Sequence, residues 1–159
     1  MALRFPIISH GAEYLVMGYL MRRNILAYKA PPGNEGYDLV CIHPDPRQVT
    51  KQIRVQVKSR YQTDCDRGFP IKEKSIDAFD YLIIVFQNIG YYYRKQPILT
   101  GQKHPEIYTL PADFIRQHHR TSQSGWEKVM TKNLDLQPYS DESGFELIAN
   151  DLGIAYPGM

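Results

Sequence analysis

The sequence predicts an α/β domain in which a mixed central β-sheet is flanked by helices. Three patterns predict it. Apolar side chains recur at helical spacing near the N-terminus, two stretches that alternate apolar and polar residues follow across a proline-marked connection, and Tyr81-Leu82-Ile83-Ile84-Val85-Phe86 is a continuous apolar run rich in β-branched residues.

In the first element, Ala12, Leu15, Val16 and Tyr19 form one apolar stripe of a helix, and Glu13 sits on its border with Met17 and Leu20. A carboxylate on the edge of a buried face needs a partner. Residues 37 to 43 then alternate as a strand, with Asp38, Val40 and Ile42 on one face and Tyr37, Leu39, Cys41 and His43 on the other. Residues 52 to 58 alternate in the same way: Ile53, Val55 and Val57 take one face, and Gln52, Arg54, Gln56 and Lys58 the other. Pro44, Asp45 and Pro46 mark the connection. An antiparallel pair centred in that connection sets position 38 near 58 and position 40 near 56, so that Asp38 and Lys58 become neighbours with Gln56 one pleat away.

Ile76 to Asp80 lead into the apolar run 81–86, which suits a central strand buried on both faces, and Asp77 and Asp80 read as turn and cap residues. Tyr91-Tyr92-Tyr93-Arg94-Lys95 predicts a further strand or hairpin whose interleaved aromatics and bases suit packing or stacking on nucleic acid. Residues 96 to 106, with Pro97, Gly101 and Pro105, predict an irregular loop. A short strand over 106–110 precedes a helix from Pro111 to His119 anchored by Phe114 and Ile115, with His118 and His119 on its surface. Trp126 follows in Ser124-Gly125-Trp126-Glu127. A final helix is predicted over 141–152, capped by Ser140, favoured by Asp141 and Glu142 at its start and striped by Phe145, Ile148 and Leu152. With no repeat or second-domain boundary, residues 1–159 read as one domain, a core over about 1–120 and a C-terminal strand/helix extension over 121–159 that closes the domain or meets a second copy.

Composition narrows the class. Of the 159 residues 43% are hydrophobic and 23% charged, which is ordinary globular material with a single core. No stretch has the length of a membrane span, the start lacks the apolar run of a signal peptide, and a cytoplasmic location is expected. Cys41 reads as a core residue and Cys65, between Asp64 and Asp66, as a loop residue, so neither a disulfide nor a zinc site is supported. The net charge of +2 identifies no partner by itself. Its distribution does more, because Lys51, Arg54, Lys58 and Arg60 belong to or flank the second strand and Arg67, Lys72 and Lys74 follow, a set suited to positioning the phosphates of DNA.

A carboxylate beside a lysine suits phosphodiester hydrolysis with a divalent cation. Mg²⁺ takes oxygen ligands and keeps several waters, so Asp38 is expected as the main ligand, the Gln56 side-chain oxygen and the Val57 carbonyl as lesser ones, and Glu13 as a completing group from the helix. Lys58 is expected to hold the attacking water and offset charge on the phosphate. A plain salt bridge between Asp38 and Lys58, stabilising the sheet of an interaction subunit, is the alternative reading of the same two residues.

Ile8-Ser9-His10-Gly11-Ala12-Glu13-Tyr14-Leu15-Val16, then Gly36-Tyr37-Asp38-Leu39-Val40, then Ile53-Arg54-Val55-Gln56-Val57-Lys58-Ser59-Arg60, in that order, resemble the PD-(D/E)xK nuclease superfamily across roughly the first 90 residues. The nearest subset includes archaeal junction resolvases and a cyanobacterial intron-encoded homing endonuclease. Gln56 departs from the pattern, standing where most members carry Asp or Glu. The resemblance implies a restriction-endonuclease-like core, Mg²⁺ as cofactor with Mn²⁺ able to substitute, and cleavage of DNA that leaves a 5′-phosphate in a homing- or restriction-like role. It also implies a homodimer or larger symmetric oligomer, since a duplex cut needs two sites. The alternative is a catalytically silent nuclease fold that binds DNA or a partner.

Overall fold

The structure, a computed structural model, describes residues 6–62, 67–89 and 103–155. Cys65 and its acidic neighbours, the expected strand at Tyr91–Lys95 and most of the loop after it lie outside the described residues.

Helix α1 (Pro6–Arg22) forms along the predicted stripe, with Ala12, Val16 and Leu20 fully buried. It ends in a Schellman turn. Asn24 is left-handed (φ 64°), its N–H donates to the Met21 carbonyl (2.9 Å), the Ile25 N–H donates to the Leu20 carbonyl (3.0 Å), and buried Ile25 seals the turn. The chain passes straight into β1 (Leu26–Lys29), a strand the sequence reading passed over because four residues are too few to define an alternation.

Strands β2 (Leu39–Ile42) and β3 (Ile53–Arg60) pair antiparallel as expected, with a different register. Val40 faces Arg54 and Leu39 faces Val55, so Asp38 comes opposite Gln56 and not Lys58. The apex explains the shift. Asp45 accepts the Arg47 N–H (3.0 Å) and starts a 3₁₀ turn over Pro46–Gln48, which centres the connection on Arg47 instead of one residue later. A two-residue slip keeps every side chain on its predicted face, because the strand period is two.

After β3 come β4 (Gly68–Pro70), a 3₁₀ stretch over Glu73–Ala78, and β5 (Tyr81–Phe86), which runs parallel to β3. β6 (Glu106–Pro111) pairs antiparallel on the other side of β5, giving one five-stranded mixed sheet in the order β1-β2-β3-β5-β6. β5 is buried at every residue, since Ile83 and Val85 face one core while Leu82, Ile84 and Phe86 face another. The first core lies under α1 and α3 (Asp141–Asp151), where Val16 and Leu20 meet Leu39, Val55, Ile83, Phe145 and Ile148. α3 lies close against β6: a Cβ on Gly144 would stand 2.4 Å from the Tyr139 carbonyl oxygen and 2.8 Å from Thr109 Cβ. Like α1, it closes in a Schellman turn, with Gly153 left-handed (φ 72°) and the Ile154 N–H donated to the Ala149 carbonyl (2.8 Å).

The opposite face of the sheet carries the second core and a layer that the sequence did not disclose. α2 (Ala112–His118) leads into β7 (His119–Thr121) and β8 (Glu127–Met130), and β8 joins β4 and β7 in a three-stranded sheet ordered β4-β8-β7. Three expectations need correction here. Pro111 closes β6 and precedes α2 instead of opening it. His118 and His119 are half-buried: the His118 ring packs 4.5 Å from Phe114, and His119 Nε2 lies 2.8 Å from the Ile71 carbonyl oxygen. Ser140 makes no side-chain cap and instead contacts Asp141 Oδ2 at 3.4 Å.

Candidate active site

Asp38 lies one residue before β2, at the point where β3 continues without an antiparallel neighbour. Gly36 allows the chain to reach that point: its φ is +96°, and a Cβ there would stand 2.4 Å from Ala78 Cβ. The Asp38 N–H donates to the Val55 carbonyl (2.8 Å), which holds the residue in line with the strand. Its carboxylate then replaces the missing strand. Oδ2 accepts the Val57 N–H (2.8 Å) and the Gln56 Nε2–H (2.8 Å).

That bond also places a carbonyl. In an extended strand the N–H and C=O of one residue point to the same edge, so the Val57 carbonyl faces the Asp38 side of β3, past the last β2 pair. Among the described residues its contact there is Gln56 Nε2, at 3.5 Å. Asp38 Oδ1 and the Val57 carbonyl are thus neighbouring hard oxygen donors that receive no hydrogen bond shorter than 3.5 Å from the described residues, and the Gln56 amide, whose nitrogen faces them, adds its oxygen to the set by turning over. The set fits Mg²⁺, which needs few protein ligands and completes its octahedron with water. It does so with one carboxylate, and among the described residues no group of three or more His, Cys, Asp or Glu side chains is placed to hold a metal ion.

Glu13 reaches the neighbourhood from the other side of the sheet. It forms an ion pair with Lys29 of β1, whose Cα partner is Leu39, and stands 3.9 Å from His10 Nδ1. Lys29 also lies 4.8 Å over the Tyr14 ring. The hydrogen bond to Glu13 holds the Lys29 ammonium above the ordinary lysine range. The predicted carboxylate is therefore committed to a lysine that sequence reading did not consider.

Lys58 follows two residues beyond Gln56 on the same face of β3. It makes no ion pair or hydrogen bond among the described residues, so the alternative Asp38–Lys58 salt bridge is not formed. Burial pushes its pKa down, Arg60 adds to that and Asp38 opposes it. For Asp38, burial pushes the pKa up, Glu13 adds to that, and the Val57 N–H, Lys58 and Lys29 pull against it. Both charged forms are thus held in a site that water screens poorly.

Gln56 and Lys58 line a cleft of about 480 Å³ between the main sheet and the three-stranded layer, with Gly36, Pro70, Ile71, Lys72, Phe79 and Trp126 among its walls. The predicted basic set divides. Lys51 pairs with Asp151, and Arg54 donates to both oxygens of Asp80 (3.0 and 3.2 Å), so these two serve the far end of β3, about 13 Å from Lys58 for Arg54. Asp80 also accepts the Arg54 backbone N–H (2.7 Å) and so anchors a strand instead of capping a turn. Asp77 is bound by Arg116 (2.7 Å). Arg60 donates to the Gly68 carbonyl (2.7 Å) and stacks 4.6 Å over Phe69, while Arg67 lies 5.7 Å over Phe86. Lys72 and Lys74 are exposed, and Lys72 borders the cleft.

Compared with solved structures, the chain is similar to the bacterial homing endonuclease I-Ssp6803I, at 16% identity over 96% of each chain and a TM-score of 0.54. The chain has the restriction-endonuclease-like fold. A second similarity is to Archaeoglobus fulgidus Hjc, a Holliday junction resolvase, at 13% identity over 94% of this chain and 98% of that one, with a TM-score of 0.46. No family model matches the sequence, and no curated protein matches it. Within the restriction-endonuclease-like fold the chain keeps the expected mixed sheet flanked by helices, with Asp38 just before β2 and Gln56 and Lys58 on β3. Among the described residues no helix is long and apolar enough to cross a membrane.

Proposed function

We propose that this chain is a metal-dependent endonuclease that hydrolyses DNA phosphodiester bonds in a homing- or restriction-like role. The observation that carries the reading is the Asp38 carboxylate bound at once by Val57 N–H and Gln56 Nε2–H, beside a lysine with no ion-pair partner among the described residues. Asp38, the Gln56 amide oxygen and the Val57 carbonyl would hold Mg²⁺ or Mn²⁺, and the bound ion supplies Lewis-acid polarisation of the scissile phosphate. To hold it, the Gln56 amide turns over, exchanging its N–H for its oxygen at Asp38. Lys58 binds a non-bridging phosphate oxygen and orients the attacking water; its lowered pKa eases sharing of a proton with that water. Glu13 acts through Lys29 and by its charge on Asp38. Lys72, Lys74, Arg60 and Arg67 supply positive charge on the cleft side, and Arg54 at the far end of β3 and Lys51 just before that strand lie farther off.

The active form is a homodimer or larger symmetric oligomer, which gives a duplex two sites. Supporting this, Ile7, Tyr14 and Met21 repeat at seven-residue spacing along one exposed stripe of α1, and the edge strand β1 exposes Leu26 and Tyr28 on its face turned away from that helix. A silent DNA-binding fold is the second reading, favoured by the neutral Gln56 already satisfied by Asp38.

Calorimetric titration of Mg²⁺ and Mn²⁺ into the protein and into Asp38→Asn tests the centre, together with end analysis of any DNA product. Binding that Asp38→Asn abolishes, with 5′-phosphate ends, is expected. Equal binding by both proteins removes Asp38 as a ligand.

A further inference from the structure

Trp126, the one tryptophan of the chain, stands on the wall of the cleft that Lys58 and Gln56 line. It immediately precedes β8, at the end of a tight β7–β8 turn. The Ser122 N–H donates to the Trp126 carbonyl (2.9 Å), the Trp126 N–H to Ser122 Oγ (2.9 Å), the Gly125 N–H to the Ser122 carbonyl (2.9 Å), and Gly125 takes the left-handed φ of +81° that the turn requires. The backbone is fixed while the side chain is 48% exposed, a poor place for an indole with only a packing role. Lys128 Nζ sits 4.8 Å over the ring, setting a cation beside the aromatic face. Pro70, Ile71 and Phe79 add apolar surface to the walls of the same cleft.

An aromatic face, a cation on it, apolar walls and a phosphate-binding lysine together suit one nucleotide whose base has left the helical stack. A base extruded from the stack can present its face to the indole, whereas a base still paired keeps both faces covered by its neighbours. We propose that Trp126 is a stacking platform for an unstacked nucleobase adjoining the phosphate engaged at Lys58, so that the favoured substrate is DNA with an unpaired nucleotide at that position. The inference rests on the reading of the cleft as a nucleic-acid site and names the substrate class it takes.

Because the chain has a single tryptophan, its emission reports this contact directly. In chelator, the protein is titrated with a blunt duplex, the same duplex carrying one bulged thymidine, a single-stranded oligonucleotide and heparin, a polyanion without bases. Bulged and single-stranded DNA are expected to quench the emission, and heparin to leave it unchanged. Trp126→Ala is expected to weaken bulged-duplex binding about ten-fold and to bring its affinity level with the blunt duplex, while Trp126→Phe restores the difference. Unchanged emission on saturation with bulged DNA, or a preference that survives Trp126→Ala in a protein of unaltered circular dichroism, overturns the inference. The nuclease reading fails separately: quenching without cleavage at any cation contradicts the enzyme and leaves the platform, metal-dependent cleavage without quenching does the reverse, and no binding to any DNA removes both.

Discussion

The Val57 N–H lies 2.8 Å from Asp38 Oδ2, so a side chain from the end of β2 takes the place of a strand in the sheet. The same oxygen accepts Gln56 Nε2–H. Asp38 therefore has a structural role beside the chemical one proposed for it, and the two separate by substitution.

Asp38→Ala leaves a backbone N–H and an amide without an acceptor. It is expected to lower stability by about 1–3 kcal/mol, as unsatisfied partly buried donors do. Asp38→Asn keeps one oxygen acceptor and is expected to lose less than half of that. Urea denaturation of the two variants checks the order, and equal losses would mean that the bond to Val57 contributes nothing.

Lys58→Met keeps the apolar stem and removes a desolvated ammonium. At neutral pH this variant is expected to be at least as stable as the native chain, while any cleavage falls by about 10²–10³-fold. The sign follows from its lowered pKa. Between that value and the ordinary lysine range the unfolded chain binds the proton more readily than the folded one, so the Lys58 contribution to stability rises with pH across that window and is least favourable below it. Denaturation against pH should show the rise in the native chain and not in Lys58→Met.

Gln56→Glu supplies the carboxylate that the PD-(D/E)xK pattern, which the sequence resembles, carries at this position. Without cation it loses the N–H to Asp38 and sets two like charges across the strand pair, costing up to about 1 kcal/mol. With Mg²⁺ it gains a charged ligand. The variant should melt lower than the native chain in chelator and gain more than the native chain when Mg²⁺ is added, a crossover readable by thermal denaturation.

Glu13 raises the Asp38 pKa through its charge. Glu13→Gln removes that influence, so Asp38 ionises at lower pH and the acid limb of cation binding moves to lower pH. A calorimetric Mn²⁺ titration repeated over pH checks the direction. A shift to higher pH would place Glu13 among the ligands, where its loss weakens the cation's competition with the proton.

The strand faces were legible in the sequence because burial enforces a period of two. Ile53, Val55 and Val57 went in, and Arg54, Gln56 and Lys58 went the other way, as read. Register was not legible, since it is set by the 3₁₀ turn at Pro46–Gln48, and a two-residue slip leaves the pattern unchanged. Lys29 escaped notice for a related reason: β1 is short, and Glu13 could be given a partner only once the fold brought that strand under α1. β4, β7 and β8 have three or four residues each and no run of apolar alternation, so the layer that carries Trp126 and forms one wall of the cleft left no periodic trace.

Cleavage of supercoiled plasmid and of a single-stranded oligonucleotide tests the central claim most directly, with Mg²⁺, Mn²⁺ or chelator, for the native chain, Asp38→Asn and Lys58→Met. The account predicts product with either cation, none in chelator, and a loss of about 10²–10³-fold or more in the two folded variants. Product that persists in chelator, or at the native level in both variants, would contradict it.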